Sequence, residues 1–296
     1  MRFVLVLAAL ASLGHWSAAF GSVPEPACAS QPGVIEATIP HEGRSRQFTL
    51  YRPENLPPDA PLVMMVHGFG SSAKTVMDGT GLNDVADHNQ FAVVYPQGLK
   101  VEDVISDSEH AGFTFWNSNP DWGIQVDDVA FLSELAAHLE SECNLGTDRR
   151  FVVGHSNGAA MTYTMACLAP DLFNAVASVA GAEEYACESP RAVPVLHIHG
   201  VQDDVIPIDG TASEGEDKPL RSIRESVEFW AAANNSEALS EQFIAPATTV
   251  YRYSNSVDDN EVWYYRIEGW GHDWPKAADN TGTDAAEVIW QFFSRY

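Results

Sequence analysis

The stretch that most constrains the fold is Arg150-Phe-Val-Val-Gly-His-Ser-Asn-Gly-Ala-Ala-Met161. Its apolar start, Phe151 to Val153, reads as a buried strand. The run Ala159 to Leu168 reads as a helix, and between the two stands Gly154-His155-Ser156-Asn157-Gly158, a G-x-S-x-G. A chain that passes from strand to helix in so few residues turns sharply, and the two glycines leave room for close packing on either side. The Ser156 hydroxyl is then pushed out beyond the sheet, at the positive end of a helix. The motif alone is weak, since it arises readily by chance. Its weight depends on whether the chain also supplies a base, an orienting acid and donors for a developing negative charge.

The remaining chain reads as alternating strands and helices. Val34 to Ile39 and Gln47 to Arg52 are two early strands joined at His41-Glu42-Gly43. Leu62 to Val66 is continuously apolar, the mark of a strand buried on both faces, and it ends at His67-Gly68-Phe69-Gly70. A glycine-rich turn at the C-terminal end of such a strand is where open α/β sheets place ligands. Its amides can face a developing negative charge, and those of Phe69 and Asn157 are the expected pair. Ala73 to Asn89 is helical with a break near Gly79 and Gly81, and Phe91 to Tyr95 is the next strand. The long segment Leu99 to Gly123 has no clear period and carries Phe113, Phe115, Trp116 and Trp122, which suit a substrate cleft. Asp127-Asp128 opens a helix and reads as a capping, structural pair.

Ala175 to Ala180 and Val193 to Ile198 are two further apolar strands. The second ends at His199-Gly200-Val201-Gln202-Asp203-Asp204, so two carboxylates qualify as the orienting acid. Leu220 to Ala233 is an amphipathic helix with Ile223, Val227 and Trp230 on one face. Strands at Thr248 to Tyr253 and Glu261 to Ile267 follow, and the latter leads into Gly269-Trp270-Gly271-His272-Asp273-Trp274-Pro275. A histidine among glycines and tryptophans after a late strand is an unusual core histidine and a natural base. Ala285 to Phe293 closes the chain as a helix.

The chain order is thus Ser156, then Asp203 or Asp204, then His272, each beyond the C-terminal end of a strand. That is the α/β-hydrolase order. A serine hydroxyl is a poor nucleophile until a base removes its proton, which explains why these residue types occur together. Such chemistry needs no metal or cofactor, and the four cysteines have no metal-ligand spacing with the histidines.

Bulk properties set limits on partners and location. The 296 residues, 45% hydrophobic, suffice for one large α/β domain. With 16 Lys+Arg against 41 Asp+Glu the net charge is −25, which repels phosphate backbones and anionic membranes. No nucleic-acid or membrane partner is expected, and a monomer is. Arg2, the apolar run Phe3 to Leu13 and the small residues Ser17-Ala18-Ala19 read as a secretory signal cleaved after Ala19. The expected division is a signal peptide over 1–19 and one α/β-hydrolase domain over 20–296, secreted to the extracellular space. Export permits disulfides among Cys28, Cys143, Cys167 and Cys187, and Asn234-Asn235-Ser236 is a glycosylation sequon.

The chain resembles the secreted esterases related to polyhydroxybutyrate depolymerases and feruloyl esterases. The resemblance runs through Leu62 to Ser72, Val126 to Phe131, Phe151 to Met161, Leu172 to Gly181, His199-Gly-x-x-Asp203 and Gly271-His-Asp-Trp-Pro275. It implies a single-domain α/β-hydrolase and a serine carboxylic-ester hydrolase with the triad Ser156, Asp203 and His272, placing the acid at Asp203 rather than Asp204. It also implies a Cys167–Cys187 disulfide, with Cys28–Cys143 as the other pair. Ser236 departs from relatives that carry cysteine there. Trp116, Trp270 and Trp274 are the candidate cleft residues. The expected substrates are feruloyl-type or other soluble or oligomeric esters. A polyhydroxybutyrate-type polyester is the alternative, and a serine peptidase or a catalytically silent binding module is further off.

Overall fold

The computed structural model describes residues 31–106, 108–211 and 220–296. The signal segment 1–19 and Cys28 lie outside the described residues. In chain order the strands are β1 (Gly33–His41), β2 (Arg44–Arg52), β3 (Ala60–Val66), β4 (Ala92–Pro96), β5 (Leu99–Lys100), β6 (Thr114–Phe115), β7 (Leu145–His155), β8 (Ala175–Val179), β9 (Val195–Gly200), β10 (Ala238–Ile244), β11 (Thr248–Ser254) and β12 (Val262–Ile267). The helices are α1 (Ala73–Gly79), α2 (Leu82–Asn89), α3 (Asp128–Cys143), α4 (Asn157–Leu168), α5 (Ile223–Ala233) and α6 (Ala285–Phe293).

Ten strands form one sheet in the order β1-β2-β4-β3-β7-β8-β9-β12-β11-β10. The centre, from β4 to β12, is parallel, and the strands outside it pair antiparallel. This is the expected α/β-hydrolase architecture. The central strands are largely buried, and β3 is apolar along its whole length, because both faces are covered. Met64, Val66 and Val152 face a core completed by Phe131, Leu132 and Leu135 of α3, Met161 of α4 and Trp230 of α5. Val63, Met65, Phe151 and Val153 face the opposite core, completed by Val76, Val85, Ile289 and Phe292 from α1, α2 and α6. Strand order reverses between β3 and β7, and that switch point opens the crevice where ligands sit in such sheets.

Most elements fall where the sequence places them, and two departures have plain causes. Strand β7 starts at Leu145, earlier than its apolar centre indicates, because exposed Asp148 and Arg149 break the pattern within one strand. Strand β10 has no apolar alternation to announce it, being an edge strand exposed along most of its length. The sequon at Asn234 is not a glycan acceptor in this fold. Its side chain is fully buried, accepts from the Val193 amide (2.9 Å) and donates to the carbonyls of Val193 (2.8 Å) and Asn260 (2.9 Å).

Candidate active site

Ser156 stands between β7 and α4 with φ 56° and ψ −122°. Such a conformation costs a non-glycine residue about 1–3 kcal/mol and persists only where surroundings enforce it. The surroundings are visible. A Cβ on Gly154 would lie 2.0 Å from the Gly158 carbonyl oxygen, and one on Gly158 would lie 2.2 Å from that of Val66. Both motif glycines are therefore required by close approach, and together they clamp the first turn of α4 against β7 and β3. The Ser156 amide donates to the Val179 carbonyl at 3.0 Å, tying the turn to β8 as well.

His272 arrives from the loop after β12. Gly200 admits that loop, since a Cβ there would meet the Trp270 carbonyl oxygen at 2.2 Å. His272 Nε2 lies 2.8 Å from Ser156 Oγ, and its Nδ1 lies 2.8 Å from Asp203 Oδ2. Asp203 is buried beyond β9, whereas Asp204 is exposed. Asp203 Oδ1 accepts from the amides of Val205 (3.0 Å) and Ile206 (2.8 Å), and its Oδ2 also lies 3.3 Å from His199 Nε2. Burial by itself would raise this carboxyl. Hydrogen bonds from His199, His272 and the Ile206 amide outweigh it and hold the group well below the usual carboxylate range.

Phe69 and Asn157 flank the serine. A Cβ on Gly68 would stand 3.2 Å from Ser156 Cβ, so the turn after β3 runs directly beside the hydroxyl. The Asn157 amide opens α4 and has no acceptor within the helix. The Phe69 amide donates to no acceptor among the described residues. The turn is anchored from beneath by His67, which burial lowers to about 4 and so keeps neutral. Its Nδ1–H donates to the Gly68 carbonyl (2.8 Å) and its Nε2 accepts the Gly98 amide (2.9 Å).

Trp116 is not a cleft residue. It is fully buried, stacked on Phe131 at 6.3 Å, with its indole N–H donating to the His67 carbonyl at 2.9 Å. Its amide donates to Asn157 Oδ1 at 2.8 Å, and its carbonyl accepts from Asn157 Nδ2 at 3.2 Å. An aromatic in an aperiodic segment can face either way, and here the His67 carbonyl holds the indole inward while the Asn157 side chain holds its backbone. Trp270 and Trp274 are partly buried on either side of His272 and fix its loop, donating to the carbonyls of Asp273 (2.9 Å) and Thr80 (3.1 Å). The exposed aromatics at the turn after β3 are instead Phe69 and Phe113, stacked at 5.4 Å.

Sequence reasoning missed His155, the second residue of the motif. Its Nε2 lies 3.2 Å from the His272 carbonyl. Burial, then the neighbouring His272, lowers it to about 4, so the ring donates while neutral and steadies the backbone of His272. Only its place beside the serine hinted at this. Cys167 and Cys187 are disulfide-bonded with Cα atoms 5.8 Å apart, tying the end of α4 to the loop after β8. Cys143 is also disulfide-bonded; its expected partner, Cys28, lies outside the described residues. No group of three or more His, Cys, Asp or Glu among the described residues is arranged to hold a metal ion.

Several known proteins are similar to this chain. The chain is 25% identical over 256 residues to a bifunctional acetylxylan esterase/xylanase, XynS20E, of Neocallimastix patriciarum, covering 86% of this chain and 34% of that one. It is 27% identical over 194 residues to a probable feruloyl esterase C of Aspergillus niger, covering 62% of this chain and 64% of the relative. The chain thus spans about a third and just under two thirds of those relatives. Its fold resembles an acetyl xylan esterase from Aspergillus awamori, with a TM-score of 0.63 at 15% identity, covering 89% of this chain and all of the other. Residues 47–249, well over half of the chain, match the family described as Esterase PHB depolymerase, and the chain belongs to that family of carboxylic-ester hydrolases.

Proposed function

We propose that the protein is a secreted serine carboxylic-ester hydrolase working through an acyl-enzyme. The observation that carries this reading is the hydrogen-bonded line Ser156–His272–Asp203, with 2.8 Å at each step, at the strained turn. His272 Nε2 takes the hydroxyl proton as Ser156 Oγ attacks the ester carbonyl. The amides of Phe69 and Asn157 receive the oxyanion, a contribution of about 3–4 kcal/mol per donor. Collapse expels the alcohol, protonated by His272. Water, deprotonated by the same imidazole, then attacks the acyl-enzyme and frees the acid and Ser156. Asp203 holds Nδ1–H and stabilises the imidazolium. Residues 1–19 direct export, and 20–296 are the mature esterase domain.

For substrate we favour feruloyl-type or other soluble or oligomeric esters. The exposed Phe69–Phe113 stack at the turn that carries the Phe69 amide offers a flat aromatic face, and a feruloyl esterase is among the relatives. The description of the matched family favours a second reading, a polyhydroxybutyrate-type polyester.

Initial rates of the purified chain on methyl ferulate, p-nitrophenyl butyrate and a hydroxybutyrate oligomer separate these. Preference for ferulate supports the first reading, and preference for the oligomer replaces it with the second. Ser156→Ala should abolish turnover of all three while leaving the far-UV circular dichroism and unfolding midpoint intact. Ester turnover surviving that substitution would sink the mechanism.

A further inference from the structure

Behind the triad acid lies a second line of polar groups inside the core. His197 and His199 are two residues apart on β9 and so share one face of the sheet. His199 Nε2 lies 2.9 Å from the Ile206 carbonyl oxygen and 3.3 Å from Asp203 Oδ2. His199 Nδ1 lies 3.0 Å from His197 Nε2, and His197 Nδ1 lies 2.7 Å from the Tyr163 hydroxyl of α4. Tyr163, His197, His199 and Asp203 are 2%, 0%, 1% and 5% exposed, so they are withdrawn from the solvent. Three polar side chains in such a place are costly where apolar ones would pack, unless each finds its partner.

The chemistry of the far end fixes the direction of the line. A carbonyl and a carboxylate only accept, so the proton on His199 sits on Nε2. With one proton per ring, His199 Nδ1 accepts from His197 Nε2–H, and His197 Nδ1 accepts from the Tyr163 hydroxyl. Burial favours this pattern, pushing His197 well below the ordinary imidazole value and Tyr163 well above the ordinary phenol value. Every donor therefore points toward the Asp203 loop, where His199 Nε2–H has the Ile206 carbonyl at 2.9 Å and Asp203 Oδ2 at 3.3 Å. The surrounding titratable and polar groups are Tyr264 of β12, edge-on to His197 at 5.8 Å, Ser178 of β8, and Glu183, which Arg221 pairs at 2.7 Å. His155 and Asp273 lie on the His272 side.

We propose that Tyr163, His197 and His199 form a buried one-way donor chain in which His199 is a positioning residue, aiming Asp203 Oδ2 at His272. The chain holds the loop through the Ile206 carbonyl and the carboxylate through Oδ2, while the Ile206 amide returns to Oδ1. This rests on the triad reading above. It adds that the carboxylate is oriented from two sides, and that its basicity toward His272 is set by the donor behind it.

The test compares His199→Leu, His199→Gln and Tyr163→Phe on p-nitrophenyl butyrate. The kcat/KM is measured across pH, active sites are counted with a p-nitrophenyl phosphonate, and Ser156→Ala serves as the blank. In His199→Leu, kcat per active site should fall about 10-fold with KM changed by less than about twofold. The acid limb of its profile should also move up by about one pH unit, because a carboxylate short of one donor holds the imidazolium more tightly. His199→Gln, whose amide N–H reaches the place of Nε2–H, should restore most of both. Tyr163→Phe should shift the limb the same way by less. Equal losses in the Leu and Gln variants with an unmoved limb, or full activity in both, would overturn the donor chain alone. Turnover surviving in Ser156→Ala would overturn the triad reading and this proposal with it.

Discussion

Two buried carboxylates, Asp203 and Asp128, meet opposite fates. Asp203 lies beyond the open end of β9 and is reached by four donors: His272, His199 and the amides of Val205 and Ile206. Asp128 lies in the first turn of α3, pairs with the buried Arg46 at 2.7 Å and accepts the Asn117 amide at 2.8 Å. Burial comes first in both. For Asp203 the donors overturn it and the carboxyl is lowered. For Asp128 burial prevails over Arg46 and the carboxyl is raised. Arg46 is itself poorly served: its Nε and Nη1 have no hydrogen-bond partner among the described residues, and its guanidinium rests on the Phe131 ring at 3.8 Å. Burial opposes the charged form of both carboxylates, and the donors around Asp203 outweigh it where those around Asp128 do not.

The largest effect that would break this comparison is on rate. Asp203→Asn should lower kcat by about 10³–10⁴-fold with folding retained, while exposed Asp204→Asn should leave kcat within about twofold. The reverse ranking would move the acid to Asp204. Asp128→Asn should act on stability instead. It strands the Arg46 charge in the core and should cost about 3–5 kcal/mol in urea unfolding, with kcat per folded molecule little changed. A large loss of kcat at normal stability would place Asp128 in the chemistry.

The smallest effect concerns pH, and its sign differs between the two carboxylates. A lowered carboxyl contributes stability above its unfolded value that is lost as pH falls. A raised one contributes stability at low pH that is lost as pH rises through its folded value. Between about pH 6 and about pH 3, Asp203→Asn should therefore lose less stability than the parent and Asp128→Asn should lose more. Parallel urea midpoints in all three would refute the contrast.

The same contrast separates what the chain announces from what it conceals. Asp127 was legible as a helix cap because capping is local: its side chain accepts the Ala130 amide at 2.8 Å. The Arg46–Asp128 pair spans 82 positions, and no local pattern marks it. Asp203 and Asp204 are adjacent and chemically alike. The Val205 and Ile206 amides and the face of β9 draw one inward, and only the resemblance of His199-Gly-x-x-Asp203 favoured it beforehand. Trp116 was read outward because an aromatic in an aperiodic segment carries no sign of its side. Its inward turn depends on the backbone of His67, 49 positions away.

The sequence by itself determined the alternation of strands and helices, the double-sided burial of β3 and β7, the sharp turn at Ser156 and the order of serine, acid and histidine. These follow from short-range periodicity and from glycines that only close approach requires. Tertiary structure alone decided which aspartate faces His272, that His155 and His67 serve as backbone anchors, that Asn234 is an internal latch, and that Tyr163, His197 and His199 stand in line behind Asp203. Each of those depends on which donor meets which acceptor across the sheet, and that is settled only when distant strands are packed side by side.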